Sequence, residues 1–341
     1  MHSQVHKVSV VIPMFNAQET IEDCLDHVFS SQREDLEVIV VDDGSTDDTL
    51  AKAVRYPCRV LENKTNRGAA SARNKGIEAS TGQLILFIDS DVLIPRDLLT
   101  RIWTFFQNHP NVAILQGSYD HNPYYQNLLS QYKHYVFAFR GASPGSAYVN
   151  YIHTACAAGR REVFQNLRFD ENLRRREDIE SGLRATQKGY LIYADPSFNV
   201  AHKKRYTLVS YSKYQFTAAK ELIMQHWLMK NRNFTEEFHS GKQPFYKKAW
   251  LLRPVLTFLA ILSFMLFAIT MDFSWALLLA GLAILSFFLE LPFRLYLIRR
   301  APLLVSLGAW WLYFFDGLFV GLGVCMGMFT VLRSRIGIRA V

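Results

Sequence analysis

Two acidic residues one position apart, Asp89 and Asp91, follow the unbroken apolar run Leu84-Ile85-Leu86-Phe87-Ile88. A short continuous apolar run reads as a strand buried on both faces. Residues two apart in extended backbone point the same way. The spacing therefore predicts both carboxylates on one side of the strand's carboxyl end. Hard oxygen donors there suit Mg2+ or Mn2+, ions usually held by one or two carboxylates together with substrate phosphates. The chemistry this suggests is a metal–diphosphate site. The plain alternative is a loop with two solvated acids.

A second apolar run, Val38 to Val41, also ends in acids, at Asp42-Asp43-Gly44-Ser45. Alone it reads as a polar turn. Beside another acid-ended strand it reads as nucleotide recognition, a carboxylate accepting from a base N–H or a ribose hydroxyl. Asn66-Arg67-Gly68 and Ala72-Arg73-Asn74 are either a solvated helix face or a phosphate contact, with Gly68 permitting close backbone approach and Arg73 meeting the nucleotide. In Arg175-Arg176-Glu177-Asp178, Asp178 is either a helix cap with Glu177 as an arginine partner, or a general base for an acceptor hydroxyl. His202, beside Lys203, Lys204 and Arg205, is a surface or packing residue, or else a third metal ligand or phosphate contact.

The elements that must position these residues alternate. Val8 to Ile12, Glu37 to Val41, Val60-Leu61 and Leu84 to Ile88 read as strands; Ile21 to Phe29, the stretch after Thr49, and Ala69 to Ser80 read as helices. Such alternation predicts a doubly wound, mostly parallel α/β sheet, whose ligands bind beyond the carboxyl ends of the strands. Further on, a helix is predicted from Pro95, a strand from Val112, a helix from Glu177 and a strand over Tyr190 to Ala194. Tyr124 to Arg140 is expected to be an amphipathic helix near a membrane or a wall of the acceptor pocket, and Ala142 to Ala147 a mobile loop.

Hydrophobic residues make up 50% of the 341, but they concentrate after about Trp250. Trp250 to Thr270, Phe273 to Ile298 and Leu303 to Leu332 are each long enough to cross a bilayer, which takes about 20 apolar residues. Glu290 and Asp316 interrupt them, and intramembrane acids are expensive and often functional. Gly317, Gly321, Gly323 and Gly327 allow close helix packing. Three full crossings would place Arg333, Arg335 and Arg339 opposite a cytoplasmic amino-terminal domain, against the positive-inside rule. The last segment is therefore either a third full span, the simple count, or a re-entrant hairpin broken at Asp316-Gly317, which would return the basic tail and is the favoured alternative. The expected organisation is a catalytic domain over 1–204, amphipathic interfacial helices over 205–249 and a transmembrane region over 250–341. The net charge of +8 fits a cytoplasmic membrane border better than nucleic acid, for which no motif is seen. Four scattered cysteines and an amino terminus without a signal peptide suit a multi-pass protein of the plasma (inner) membrane with its catalytic domain cytoplasmic.

The ordered set Val10-Val11-Ile12-Pro13-Met14-Phe15-Asn16, Val40 to Asp47, Asn66 to Asn74, Phe87 to Asp91, Ala158-Gly159-Arg160-Arg161 and Glu177-Asp178 resembles the family 2 glycosyltransferases of GT-A fold. The resemblance covers about Val8 to Tyr206. It implies an inverting transfer from a nucleotide-diphosphate sugar with Mg2+ or Mn2+. It implies Pro13, Phe15, Asn16, Asp42, Asp43, Gly68, Arg73 and Asp89 near the nucleotide sugar, and Asp89, Asp91 and His202 at the metal. It implies Gly159 and Glu177 on the acceptor side, and Asp178 as the catalytic base. A Gln-x-x-Arg-Trp motif, carried by processive synthases of the family, does not follow Asp178, which argues against a polymer-extruding enzyme. The apolar tail resembles that of enzymes acting on lipid-linked acceptors such as a polyprenyl phosphate, in cell-surface glycan or glycolipid synthesis. A second copy of the chain stays open as a partner. The competing readings are a non-catalytic scaffold that binds nucleotide sugar and a nucleotidyltransferase; the latter lacks a Gly-rich, Lys-bearing loop near the first strand.

Overall fold

The first strand, β1 (Val8–Met14), is almost wholly apolar because it has a parallel neighbour on each side and helices above and below. In the computed structural model, residues 8–31, 33–141, 146–230 and 249–335 are described. The elements that follow are α1 (Ile21–Phe29), β2 (Leu36–Asp42), α2 (Thr49–Ala53), β3 (Arg59–Glu62), α3 (Ala69–Ala79), β4 (Leu84–Ile88), β5 (Val92–Leu93), α4 (Leu98–Asn108), β6 (Val112–Tyr119), α5 (Leu128–Gly141), β7 (Ala147–Val149), β8 (Cys156–Arg160), α6 (Arg161–Leu167), α7 (Glu177–Gln187) and β9 (Leu191–His202). Strand alternation divides the core. Val8, Val10 and Ile12 pack with Leu84, Leu86, Ile88 and the apolar stripes of α1 and α4. Val11, Ile85 and Phe87 point the other way, to Ile77 of α3 and to Val163 and Phe164 of α6.

The sheet runs β3-β2-β1-β4-β8-β6-β9-β5, with β7 beside β9. The expected parallel half is β3-β2-β1-β4. The other half corrects "mostly parallel" to mixed: β8 is antiparallel to both β4 and β6, and β5 and β7 are antiparallel to β9. A buried strand shows both faces to the core in either direction, so its composition does not encode its polarity.

The described residues form two compact units, one from residues up to 124 together with 140–204, the other from 125–139 together with residues from 205 onward. One boundary of this division lies at 204/205, and residues 125–139 fall in the second unit. Tyr132, Tyr135 and Val136 of α5 are buried with Tyr206, Tyr211, Phe293 and Leu297, so α5 belongs to the helical unit. That unit also holds α8 (Leu208–Lys230), α9 (Ala249–Thr270), α10 (Phe273–Leu289), α11 (Leu291–Arg300) and α12 (Leu303–Arg335).

Two stretches of α9 and α12, Leu252–Thr270 and Leu303–Arg333, are long and apolar enough to cross a membrane; α10 and α11 qualify together but are bent by 63°. The expected break at Asp316-Gly317 does not occur, because α12 continues through it. The interruption is at Glu290, where Pro292 begins the next helix. Gly317 instead serves packing: a Cβ there would lie 1.9 Å from Thr257 Oγ1 of α9. At Gly323 it would lie 2.3 Å from the Phe216 carbonyl, so α8 is laid closely along α12. The two acids of the apolar region, Glu290 and Asp316, are paired. Arg253 bonds Glu290 and, at 2.8 Å, Asp316. Asp316 also accepts from Gln215 Nε2 (2.7 Å), Tyr132 (3.3 Å) and Tyr211. The expectations for the 142–145 loop, for 231–248 of the interfacial segment and for Arg339 lie outside the described residues.

Candidate active site

Four parallel strands deliver their carboxyl ends to one edge of the sheet, and the polar residues gathered there begin with loop builders. Asp42 accepts from the Ser45 amide (3.0 Å) and hydroxyl (2.5 Å), closing the turn after β2. Asp43 accepts from Asn63 Nδ2 (2.9 Å), the Arg67 amide (3.0 Å) and the Gly68 amide (2.7 Å). Its negative charge thus sits at the amino terminus of α3, where the helix dipole favours it. Gly68 there has φ +97°, a backbone region that side-chain-bearing residues rarely enter. Asn16, itself at φ +49°, takes the Thr46 amide on Oδ1 (2.9 Å) and donates its own amide to Ser45 Oγ (3.0 Å). The turn after β1 is so tied to the turn after β2, with Pro13 at the end of β1 and Phe15 exposed beside it.

Arg73, expected to meet the nucleotide, is instead buried and turned onto protein acids. Its Nη2 lies 2.9 Å from Asp89 Oδ1, its Nη1 lies 2.5 Å from Glu177 Oε1, and its guanidinium stands 5.8 Å over the Phe169 ring. One cation therefore joins the end of β4 to the start of α7. Arg176 caps that helix in the left-handed region, at φ +61°. Burial pushes the Glu177 carboxyl up to about 7, Arg73 pulling against it. Burial likewise raises Asp178, opposed by Arg73 and by a hydrogen bond from the Ile179 amide (2.8 Å), and reinforced by Asp89. A carboxyl so raised binds its proton more readily than an ordinary one, which is what a general base needs.

Asp89 and Asp91 take different partners. The strand stops at Ile88, and Val92 N–H closes a turn onto the Asp89 carbonyl (3.0 Å), so alternation no longer applies. Asp89 goes to Arg73. Asp91 has Oδ1 3.6 Å from His202 Nε2 and Oδ2 2.9 Å from Lys204 Nζ. Burial pushes the Asp91 carboxyl up, but contact with His202 and Lys204 outweighs it and holds the group well below the usual carboxylate range. Among the described residues no three His, Cys, Asp or Glu side chains form a group that could hold a metal. Of the expected trio Asp89, Asp91 and His202, the last two are in direct contact, brought together because Val92 and His202 are partners across β5 and β9. Two donors 3.6 Å apart fit one divalent cation whose bonds are ~2.1 Å and whose other positions go to water and phosphate.

Gly159 does not lie in an acceptor-side loop. It sits inside β8, paired with Ile85 and Ile114, where a Cβ would meet the Phe164 ring at 2.7 Å. That is the opposite end of β4 from Asp89. Two residues at the site carry no signal in the sequence. Tyr119 stacks on His202, with centroids 4.4 Å apart and planes within 10°, and His153 meets Tyr119 edge-on at 5.2 Å. Burial lowers the His153 imidazole, against the pull of Asp89. The pairing of β6 with β9 sets Tyr119 beside Val200, two residues before His202.

The profile described as Glycosyl transferase family 2 matches residues 9–168. These residues are a family 2 glycosyl transferase domain. An uncharacterized glycosyltransferase of Escherichia coli (strain K12), YibD, is 39% identical over 95 residues, 27% of this chain and 28% of its own. A dolichol-phosphate mannosyltransferase of Pyrococcus furiosus is 29% identical over 135 residues, 37% of this chain and 38% of its own. The chain thus spans well under half the length of these curated relatives. Among solved structures, a mannosyltransferase from Pyrobaculum calidifontis in complex with GDP-Man and Mn2+ superposes with a TM-score of 0.62 at 23% identity, over 93% of this chain and 87% of that one. The family 2 domain therefore has the GT-A fold.

Proposed function

We propose that this family 2 domain makes the chain an inverting glycosyltransferase, moving a sugar from a nucleotide-diphosphate sugar to a membrane-associated, lipid-linked acceptor in cell-surface glycan or glycolipid synthesis. The observation that carries the reading is the cluster Arg73, Asp89, Glu177 and Asp178, which sets a raised carboxyl beside the acid-lined edge of the sheet. In this reading Asp178 takes the proton of the acceptor hydroxyl. The freed oxygen forms its bond to the anomeric carbon as the bond to the diphosphate breaks, and one in-line displacement inverts the centre. Arg73 is a positioning residue that holds Asp89 and Glu177 in place. Asp42, Asp43 and Asn16 shape the loops that would face the nucleotide, with Pro13 and Phe15 at the rim. A divalent cation, Mg2+ or Mn2+, would be held by Asp91 and His202 and would neutralise charge on the departing diphosphate.

The Pyrococcus relative is named for a lipid phosphate, and the Pyrobaculum neighbour is bound to a nucleotide sugar with Mn2+; both support the reading. The apolar helices α9 and α12 support an acceptor met at a bilayer, with the chain multi-pass in the inner membrane and its catalytic unit cytoplasmic. The test is release of nucleoside diphosphate by the full chain from a panel of nucleotide sugars with Mn2+, with and without polyprenyl phosphate. Acceptor-dependent release from one sugar is expected. Binding without release would leave a scaffold, and pyrophosphate release from a nucleoside triphosphate would make it a nucleotidyltransferase.

A further inference from the structure

His202 reaches Asp91 only if its ring keeps one orientation, and torsions next to a planar ring are broad. The imidazole stands at the last residue of β9, where the strand gives way to Lys203 and Lys204. Its backbone is fixed by pairing with Val92, but strand pairing does not set the turn of the ring. The ring is set from the side. Tyr119, last residue of β6, lies flat against it at 4.4 Å and 10°, an arrangement that blocks rotation about the imidazole's own axis. His153 braces Tyr119 in turn, its ring perpendicular at 5.2 Å.

We propose that Tyr119 is a positioning residue for a divalent cation at Asp91 and His202, its ring holding the imidazole with Nε2 toward Asp91 and His153 supporting Tyr119 edge-on. The inference rests on the metal assignment of the proposed function and adds to it the residue that pre-orients the ligand. Partners that orient a metal-binding histidine commonly cost 10–100-fold in metal affinity when removed. The stack needs a flat ring and not the phenol hydroxyl. Tyr119→Phe should therefore behave as the unchanged protein and Tyr119→Leu should not.

The experiment titrates the full chain in detergent with Mn2+, in the presence of UDP and, separately, GDP, and follows free Mn2+ by electron paramagnetic resonance. Unfolding temperatures without Mn2+ are recorded in parallel. Tyr119→Leu should bind Mn2+ about 10–100-fold more weakly, Tyr119→Phe should match the unchanged chain, and His202→Ala should be weakened at least as much as Tyr119→Leu. If Tyr119→Leu does not fold, His153→Leu reads the same effect through the brace and should weaken Mn2+ binding by a smaller factor. Unchanged binding in whichever of these two variants folds, alongside weakened binding in His202→Ala, overturns the positioning role and leaves the metal site standing. Equal weakening in Tyr119→Phe and Tyr119→Leu overturns the stack as the cause. If His202→Ala also binds as before, or the unchanged chain binds no Mn2+ with either nucleotide, the metal site itself falls and the inference with it.

Discussion

Each of the two units buries an arginine between two carboxylates, and the two clusters behave differently. In the α/β unit Arg73 holds Asp89 and Glu177, with the three side chains 5%, 35% and 8% exposed. In the helical unit Arg253 holds Glu290 and Asp316, at 2%, 6% and 1%. Asp316 is filled by Tyr132, Tyr211 and Gln215 as well, so the second cluster closes on itself. The first leaves Asp89 open on one side and a raised, half-buried Asp178 beside it. The pairing is the same; in the proposed function the open edge makes one cluster a place for chemistry, while the other fastens helices together. An acid within an apolar helix invites a functional reading, and here an arginine and three further donors supply a structural one.

The largest expected effect separates the clusters most sharply. Asp178→Asn should lower the rate of nucleoside diphosphate release by about 10²–10⁴-fold, the usual worth of a general base, with its unfolding temperature unchanged. Turnover near that of the unchanged chain would remove the base from Asp178. Arg253→Met should do the reverse. Two buried acids would lose their cation, costing about 3–5 kcal/mol of stability, read as a fall in unfolding temperature in detergent. The triple change Arg253→Met, Glu290→Gln and Asp316→Asn should recover most of that loss, because no uncompensated charge remains. Arg73→Met should show both defects, with a stability loss near the lower end of that range, about 3 kcal/mol, since water reaches Asp89.

Smaller effects follow from pH. The base must be ionised, and Asp178 is raised, so kcat/KM should climb with pH along an acid limb lying above the ordinary carboxylate range of about 4. The residual activity of Asp178→Asn should lack that limb. Glu177 favours its protonated form in the folded chain. Its contribution to stability is fully present below its ordinary value of 4.5 and is lost as pH rises through about 7. Glu177→Gln carries no such term. Its unfolding temperature should therefore gain on that of the unchanged chain by a few degrees at most between those pH values. A constant difference would mean that Arg73 keeps Glu177 ionised throughout.

Much of this was legible in the residues because it is local. Apolar runs ending in Asp42 and Asp89 announce strands that stop at a polar edge, and the stretch after Trp250 announces helices for an apolar environment. The misreadings have a shared form. Asp89 and Asp91 were expected to obey strand alternation, but the strand ends one residue before the first of them. Gly159 follows the family's landmark order yet lies within β8, where a buried glycine admits the Phe164 ring. Arg73 looks like a phosphate ligand until its two acids appear, one of them 104 positions away.

The sequence by itself determined which segments become buried strands, which residues stand at their ends, and where the chain turns apolar, since periodicity and side-chain chemistry act over a few residues. Tertiary structure alone decided that Arg73 joins Asp89 to Glu177, that Tyr119 lies on His202, that α5 leaves the α/β unit and that the apolar helices bend at Glu290 rather than at Asp316. Those outcomes depend on which of many compatible buried surfaces and charges meet across long separations, and that is settled by packing the whole chain at once.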